Sequence, residues 1–172
     1  MFKRILIPLD GSELAEQALP LALALGHQFH SHLILIRMVE FPYPSLFTPH
    51  LTSATAANMA DAYEQAKQEA HHYLVAQQKK LHAKGFEAQI ILCKAEAAEG
   101  IIYTAKENNV DCIVMSTHGR SGIARWTLGS VADKVARRAS CPVLLVRQNN
   151  TFDPENLVPH DSITIKEDNY VS

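Results

Sequence analysis

No run in the 172 residues approaches the roughly 18 consecutive apolar positions of a membrane-spanning helix, so no membrane segment is expected. The N-terminal MFKRILIPLDGS has too short an apolar stretch before Asp10 to form a secretory signal core, which points to a cytoplasmic protein. Cysteine is scarce. Cys93, Cys112 and Cys141 stand in or beside apolar strand-like runs without CxxC spacing, a pattern of buried free thiols in a reducing compartment rather than metal ligands. An excess of one charge is also missing: Lys plus Arg number 16 against 18 Asp plus Glu, a formal net charge of -2. No global field therefore steers the chain to nucleic acid or to an acidic membrane surface, and any anion site has to be local. Both GxxxxGK[ST] and GxGxxG are absent, which removes the two commonest phosphate-binding signatures. There is no internal repeat.

What is present alternates. FKRILIPL (2–9), HLILIRMV (32–39), FEAQIILC (86–93), VDCIVM (110–115) and PVLLVR (142–147) read as strands. Helical patterns fill 13–29, with a kink at Pro20, as well as 54–84, closed by Gly85, 97–109 and 130–138. Phe41 to Ser53 carries three prolines without periodicity and reads as an extended loop. Strands apolar on both faces, alternating with helices, predict an α/β fold: a doubly wound, five-stranded parallel sheet with right-handed crossovers. Residues 1–147 form one domain. From Gln148 the composition turns polar and 148–172 reads as a C-terminal tail, whose SITI segment can add a short edge strand.

The informative stretch is MSTHGRSGIARWTLGSVADKVARRASCPVLLVR, from Met115 to Arg147. It follows the fourth strand, where parallel sheets bind ligands and where loops lead into helix N-termini. Gly119 suits a tight turn, Gly129 admits a close approach to the backbone, and Ser130 can cap the following helix and donate its hydroxyl. Arg120 and Arg125 add positive charge to a loop free of acids. Taken alone, the glycines are explained as turn formers and Ser130 as an N-cap. Asp10 is read equally as a helix cap or a ligand contact, and His118 as a phosphate contact or a residue that orients the loop. Trp126, the only tryptophan, is read as covering the site or packing on the sheet, with packing the first expectation. His27, His30 and His32 straddle a helix end and a strand start and are surface residues before they are a metal site, while His71 and His72 point to different faces of one helix.

Asp10 and Ser12 after the first strand, STHG after the fourth, nine further residues and then GSVADKVARRASCPVLLVR together resemble the universal stress protein family over residues 1–147. The nucleotide-binding branch of that family carries G-x2-G-x9-G-[ST]. Gly119, the nine residues Arg120 to Leu128, Gly129 and Ser130 keep that spacing, while Ser116 stands where the first glycine would be. The resemblance implies a Rossmann-like fold of the adenine nucleotide alpha hydrolase-like kind, and ATP as ligand with a divalent cation, Mg2+ or Mn2+. By position it implies that Pro8 and Asp10 follow the first strand, that Met38 lies at the adenine edge, and that Met115, Ser116, Gly119, Gly129, Ser130 and Val131 surround ribose and phosphates. It also implies a homodimer through the last strand, whose apolar edge would otherwise stand open.

Three functions compete on these residues: a nucleotide-binding regulatory protein with at most slow ATP hydrolysis, a nucleotidyl- or phosphoryl-transfer enzyme, and a dimeric interaction module with an empty loop. An enzyme needs a base, a nucleophile or a fixed metal beside the phosphates. Asp10, His118, Ser121 and Ser130 are the candidates, with no paired carboxylates. The expectation is therefore a regulatory, stress-response protein whose partner is an adenine nucleotide.

Overall fold

The computed structural model describes residues 1–39, 53–117 and 128–147. The loop expected from Phe41 lies outside the described residues except for Ser53, and so does the tail from Gln148 with its SITI segment. Five strands, β1 (Arg4–Pro8), β2 (His32–Met38), β3 (Ala88–Cys93), β4 (Cys112–Ser116) and β5 (Val143–Val146), form one parallel sheet in the order β3-β2-β1-β4-β5. The expected doubly wound α/β architecture is the observed one.

Helices cover both faces. On one side, α1 (Glu13–Glu16), α2 (Leu19–Phe29) and α3 (Ser53–His82) bring Ala15, Ala18, Ala22, Leu74 and Leu81 against Ile5, Ile7, Leu33, Leu35, Cys112 and Val114. On the other side, α4 (Ala97–Glu107) and α5 (Ser130–Arg138) bring Ala98, Ile101, Ala105, Ala132 and Val135 against Leu6, Ile34, Ile36, Ile113 and Met115. Period-two alternation along each strand sends neighbouring side chains to opposite layers. Both layers are apolar because both are covered, and each fully buried Leu or Ile contributes roughly 1.5–3 kcal/mol.

The single kinked helix expected over 13–29 is two helices. Pro20 has no amide hydrogen, and its ring clashes with the carbonyl four residues back, so α1 stops at Glu16. Pro20 then sits in the first turn of α2, where an amide donor is not needed. At the end of α3 the expected stop is present: Gly85 takes φ +82, its amide donates to His82 O at 2.9 Å, and Phe86 N reaches back to Leu81 O at 3.1 Å. Other boundaries shift by a residue or two, most visibly in β4, which extends through Ser116.

The reversal of strand order lies between β1 and β4. To one side β1 pairs with β2 through Pro8↔Ile36, and Leu9 N donates to Ile36 O at 2.8 Å. To the other side β4 pairs with β5 through Ser116↔Val146. Between them only Ile5↔Cys112 and Leu6↔Ile113 are joined. Proline accounts for this early end. Arg4 O turns towards β4, accepting from Asp111 N at 2.9 Å, and alternation gives Pro8 the same side. The next rung would need an amide hydrogen from Pro8, which has none. The seam between β1 and β4 therefore opens toward the carboxyl ends of the strands.

Candidate functional site: the crevice between β1 and β4

One wall of the crevice is the turn after β1. Asp10 Oδ1 accepts from Ser12 N at 2.9 Å and from Ser12 Oγ at 2.6 Å, and Ser12 Oγ in turn accepts from Ala15 N at 3.2 Å. The helix cap is thus Ser12, and Asp10 is not itself the cap: it fixes the turn that presents the cap. Gly11 between them takes φ +90, a conformation that side-chain-bearing residues rarely adopt.

The opposite wall is the end of β4. Met115 is 5% exposed and belongs to the core under α4 and α5. Ser116 and Thr117 are buried too, and alternation puts Ser116 on the face of Cys112 and Val114, toward α1 and α2. Thr117 N donates to Val146 O at 2.9 Å, and Thr117 O accepts from Gly129 N at 3.0 Å. The chain from 118 to 127, with Gly119, His118, Arg120, Arg125 and Trp126, lies outside the described residues; Thr117 and Gly129 on either side of it are joined by that hydrogen bond.

The floor is the start of α5. Ser130 is not the N-cap expected of it. Gly129 holds that position with φ -58 and ψ 146 and offers no side chain, while Ser130 is the first residue of the helix, with its side chain exposed. Asp133 N donates to Gly129 O at 2.8 Å as the first helical bond, so the amides of Ser130, Val131 and Ala132 have no partner within the helix. Such a terminus favours an anion. Asp133 in the first turn opposes that preference, but its carboxylate is engaged by Arg137 Nε at 2.9 and 3.0 Å.

The structure thus brings Pro8, Asp10, Ser116, Gly129, Ser130 and Val131 to the carboxyl end of the β1–β4 seam. Met38 lies one strand further out, on the α4 face. A Cβ at Gly100 would stand 2.5 Å from the Met38 sulfur, so that glycine makes room for the methionine. Two residues escaped the sequence reading. Thr117 joins β4, β5 and α5 through its backbone, and nothing but its place in STHG marks it. Arg37 reaches the turn after β1, and its signal was a lone cation in the apolar run HLILIRMV.

Among the described residues, no group of three or more His, Cys, Asp or Glu is placed to hold a metal ion, and no helix is long and apolar enough to cross a membrane. His27, His30, His32, His71 and His72 are exposed. The three cysteines are free, and burial pushes the Cys112 thiol up to about 11, so it stays protonated at neutral pH.

Comparison with known proteins bears on the family and the fold. The sequence model of the Universal stress protein family matches residues 1–147. Universal stress protein YxiE of Bacillus subtilis is 31% identical over 150 residues, covering 86% of this chain and 100% of its own. The solved structure of MJ0577 of Methanocaldococcus jannaschii superposes with a TM-score of 0.75 at 27% identity, over 88% of this chain and 99% of that one. A universal stress protein family protein from Arabidopsis thaliana, solved with AMP bound, shares the fold, with a TM-score of 0.58 at 14% identity over 90% of this chain and 97% of that one.

Proposed function

The chain belongs to the universal stress protein family, and we propose that it binds an adenine nucleotide, ATP with Mg2+ or Mn2+, in the β1–β4 crevice. Its role is then regulatory, in a stress response in the cytoplasm, and it acts as a homodimer. The observation that carries the reading is the meeting of three features at one seam. The sheet opens at Pro8, the end of β4 is tied to Gly129, and α5 begins with amides that no side chain caps. Phosphates would lie against Gly129, Ser130 and Val131, with Ser130 Oγ as a donor, and Gly119 would serve the same loop. Asp10, Pro8 and Met38 would line the nucleoside end, with Ser116 beneath and Met115 closing the core behind it. The AMP held by the Arabidopsis relative supports the ligand class.

Binding, rather than turnover, is favoured by the state of Asp10. Its Oδ1 accepts two hydrogen bonds from Ser12, which fix its orientation, and in this reading it meets the nucleoside end and not the phosphates, where an attacking water would have to be activated. Native mass spectrometry of the purified protein tests the reading. A bound adenine nucleotide supports it, and calorimetry should show ATP affinity. No bound nucleotide, together with no affinity at millimolar ATP, would instead favour an interaction module with an empty crevice. ATP hydrolysis at about 1 per second or faster would make the protein an enzyme.

A further inference from the structure

Arg37 is the residue before the last of β2, and alternation turns it to the α3 face, with Leu33 and Leu35. Its guanidinium lies against the backbone of the turn after β1. A Cβ on Gly11 would stand 3.1 Å from Nη1 and 3.2 Å from both Cζ and Nη2. Nearly equal distances to three atoms mean that the guanidinium presents its flat face to Gly11. On the α3 side, Arg37 Cζ is 5.0 Å from the centre of the Tyr73 ring. The cation therefore meets both the Gly11 backbone and an aromatic ring, a pair of contacts that suits a planar, weakly hydrated guanidinium better than a compact ammonium.

The aromatic partner is itself fixed. Tyr73 Oη donates to Glu16 Oε1 at 2.9 Å, and Gln77 Nε2, one helical turn on, donates to the same oxygen at 2.6 Å. Gln77 is buried. Burial and the Glu16 carboxylate both hold the Tyr73 phenol well above its ordinary pKa, so the donor persists across the physiological range. Glu16 closes the helix that Ser12 opens. Residues 10–16 are thus gripped at two points by the stripe Tyr73–Gln77 of α3, once through Glu16 and once through Arg37.

We propose that Arg37 is a positioning residue: in contact with both Gly11 and Tyr73, it fixes the turn 10–12 and so the orientation in which Asp10 meets the nucleoside part of a bound nucleotide. The second half of this statement rests on the proposed nucleotide site, while the first half stands on the contacts alone. Gly11 is then glycine for two reasons, its φ of +90 and the guanidinium lying where a side chain would be.

Arg37→Met removes charge and plane, and Arg37→Lys removes the plane only. In the protein without nucleotide, both variants should speed amide hydrogen exchange at Ser12 and Ala15, whose partners are Asp10 Oδ1 and Ser12 Oγ, while the Leu35 amide in β2 keeps its rate. Calorimetry should then show adenosine and ATP weakened by the same factor, roughly threefold to tenfold, with no rescue by lysine. Unchanged exchange at Ser12 and Ala15 overturns the proposal. So does a loss confined to ATP and restored by lysine, which would make Arg37 a phosphate-attracting charge. Should the parent bind neither ligand, the nucleotide reading falls with the second half of the proposal, and the exchange rates alone decide whether Arg37 holds the turn. Tyr73→Leu, which removes the aromatic contact, should reproduce the exchange result and covers the case in which an Arg37 variant fails to fold.

Discussion

The backbone amide of Gly129 donates to the carbonyl of Thr117 at 3.0 Å, so the chain that leaves the sheet after β4 returns to the same point to begin α5. This pin places the open amides of α5 directly beyond the carboxyl end of β4. The dihedrals of Gly129, φ -58 and ψ 146, are open to any L-residue, so the position does not use glycine's conformational freedom. Two reasons remain, the preference for glycine over larger apolar residues at an N-cap and the space it leaves for a ligand. Gly129→Val should change stability by no more than about 1 kcal/mol and abolish ATP binding. Ser130 makes no cap bond, so Ser130→Ala should leave stability nearly unchanged. Its ATP affinity should fall roughly tenfold to a hundredfold, the loss of one hydroxyl contact to a charged group. Thermal melts and calorimetry separate the two effects. Full ATP affinity in both variants would rule out phosphates at this helix start.

Pro8 makes a second, opposite test. Pro8→Ala supplies the amide that the next β1–β4 rung lacks, and the seam should close by one pair. The new hydrogen bond contributes about 1 kcal/mol, and the lost rigidity of proline in the unfolded chain takes away about as much, so the melting temperature should scarcely move. Hydrogen exchange should find a protected amide at position 8, and nucleotide affinity should drop. A protected amide with undiminished affinity would place the nucleotide elsewhere.

Most of the fold could be read from the sequence because its signals were local. Apolar runs such as HLILIRMV and PVLLVR announced strands buried on both faces, and Gly85 announced the end of α3. Pro20 announced a break and was read as a kink; the difference depended on whether tertiary packing would favour bending one helix or starting another. The cap of α5 was misassigned because serine and glycine stand side by side at 129–130, and only backbone dihedrals tell which of the two is still outside the helix. At the site, spacing pointed to the Gly129–Ser130 start of α5. Arg37 was illegible because its partners, Gly11 and Tyr73, lie far away in sequence on two different elements. The opening at Pro8 was hidden for a similar reason: a proline reads as a defect of one strand until its neighbour on the donor side is known.

The sheet edge at β5 bears on assembly. Among the described residues β5 pairs with β4 alone, and Pro142 O and Val146 O face β4 by accepting from Ile113 N and Thr117 N, both at 2.9 Å. Alternation therefore turns the amides of Val143 and Leu145 outward, away from β4. If two copies pair through this edge, Leu145→Pro removes an outward donor while leaving the β4 ladder intact. Light scattering should report about twice the 19.1 kDa of one chain for the parent and a folded monomer for the variant. A parent at the mass of one chain would refute the dimer, and an unchanged dimer in the variant would move its interface off β5.

Acid should loosen the layer that carries α5 before it loosens the rest. Lys134 Nζ lies 2.9 Å from Glu96 Oε2 and 3.1 Å from Glu99 Oε1, and Arg138 also pairs with Glu99, so α5 is tied to the N-terminal end of α4. The hydrogen bond from Lys134 is the largest cause holding the Glu96 and Glu99 carboxyls below their usual range, and the reciprocal bonds hold the Lys134 ammonium above its own. A carboxylate depressed on folding contributes stability that is complete above its unfolded pKa, about 4.3, and is lost as pH falls through the folded value. The raised ammonium contributes below its unfolded pKa, about 10.4, and loses that contribution as pH rises through the folded value. The tie is therefore at full strength between about pH 5 and pH 10. All three side chains are substantially exposed, so its effect is small and screened by salt. Lys134→Met should lower the melting temperature by a constant amount across that window. The gap from the parent should shrink as pH falls below the usual carboxylate range and through the lowered folded values of Glu96 and Glu99, and in roughly 1 M salt, where the Debye length is about 3 Å. A gap that ignores both pH and salt would show that Lys134 acts through the packing of its aliphatic stem on α4 and not through its charge.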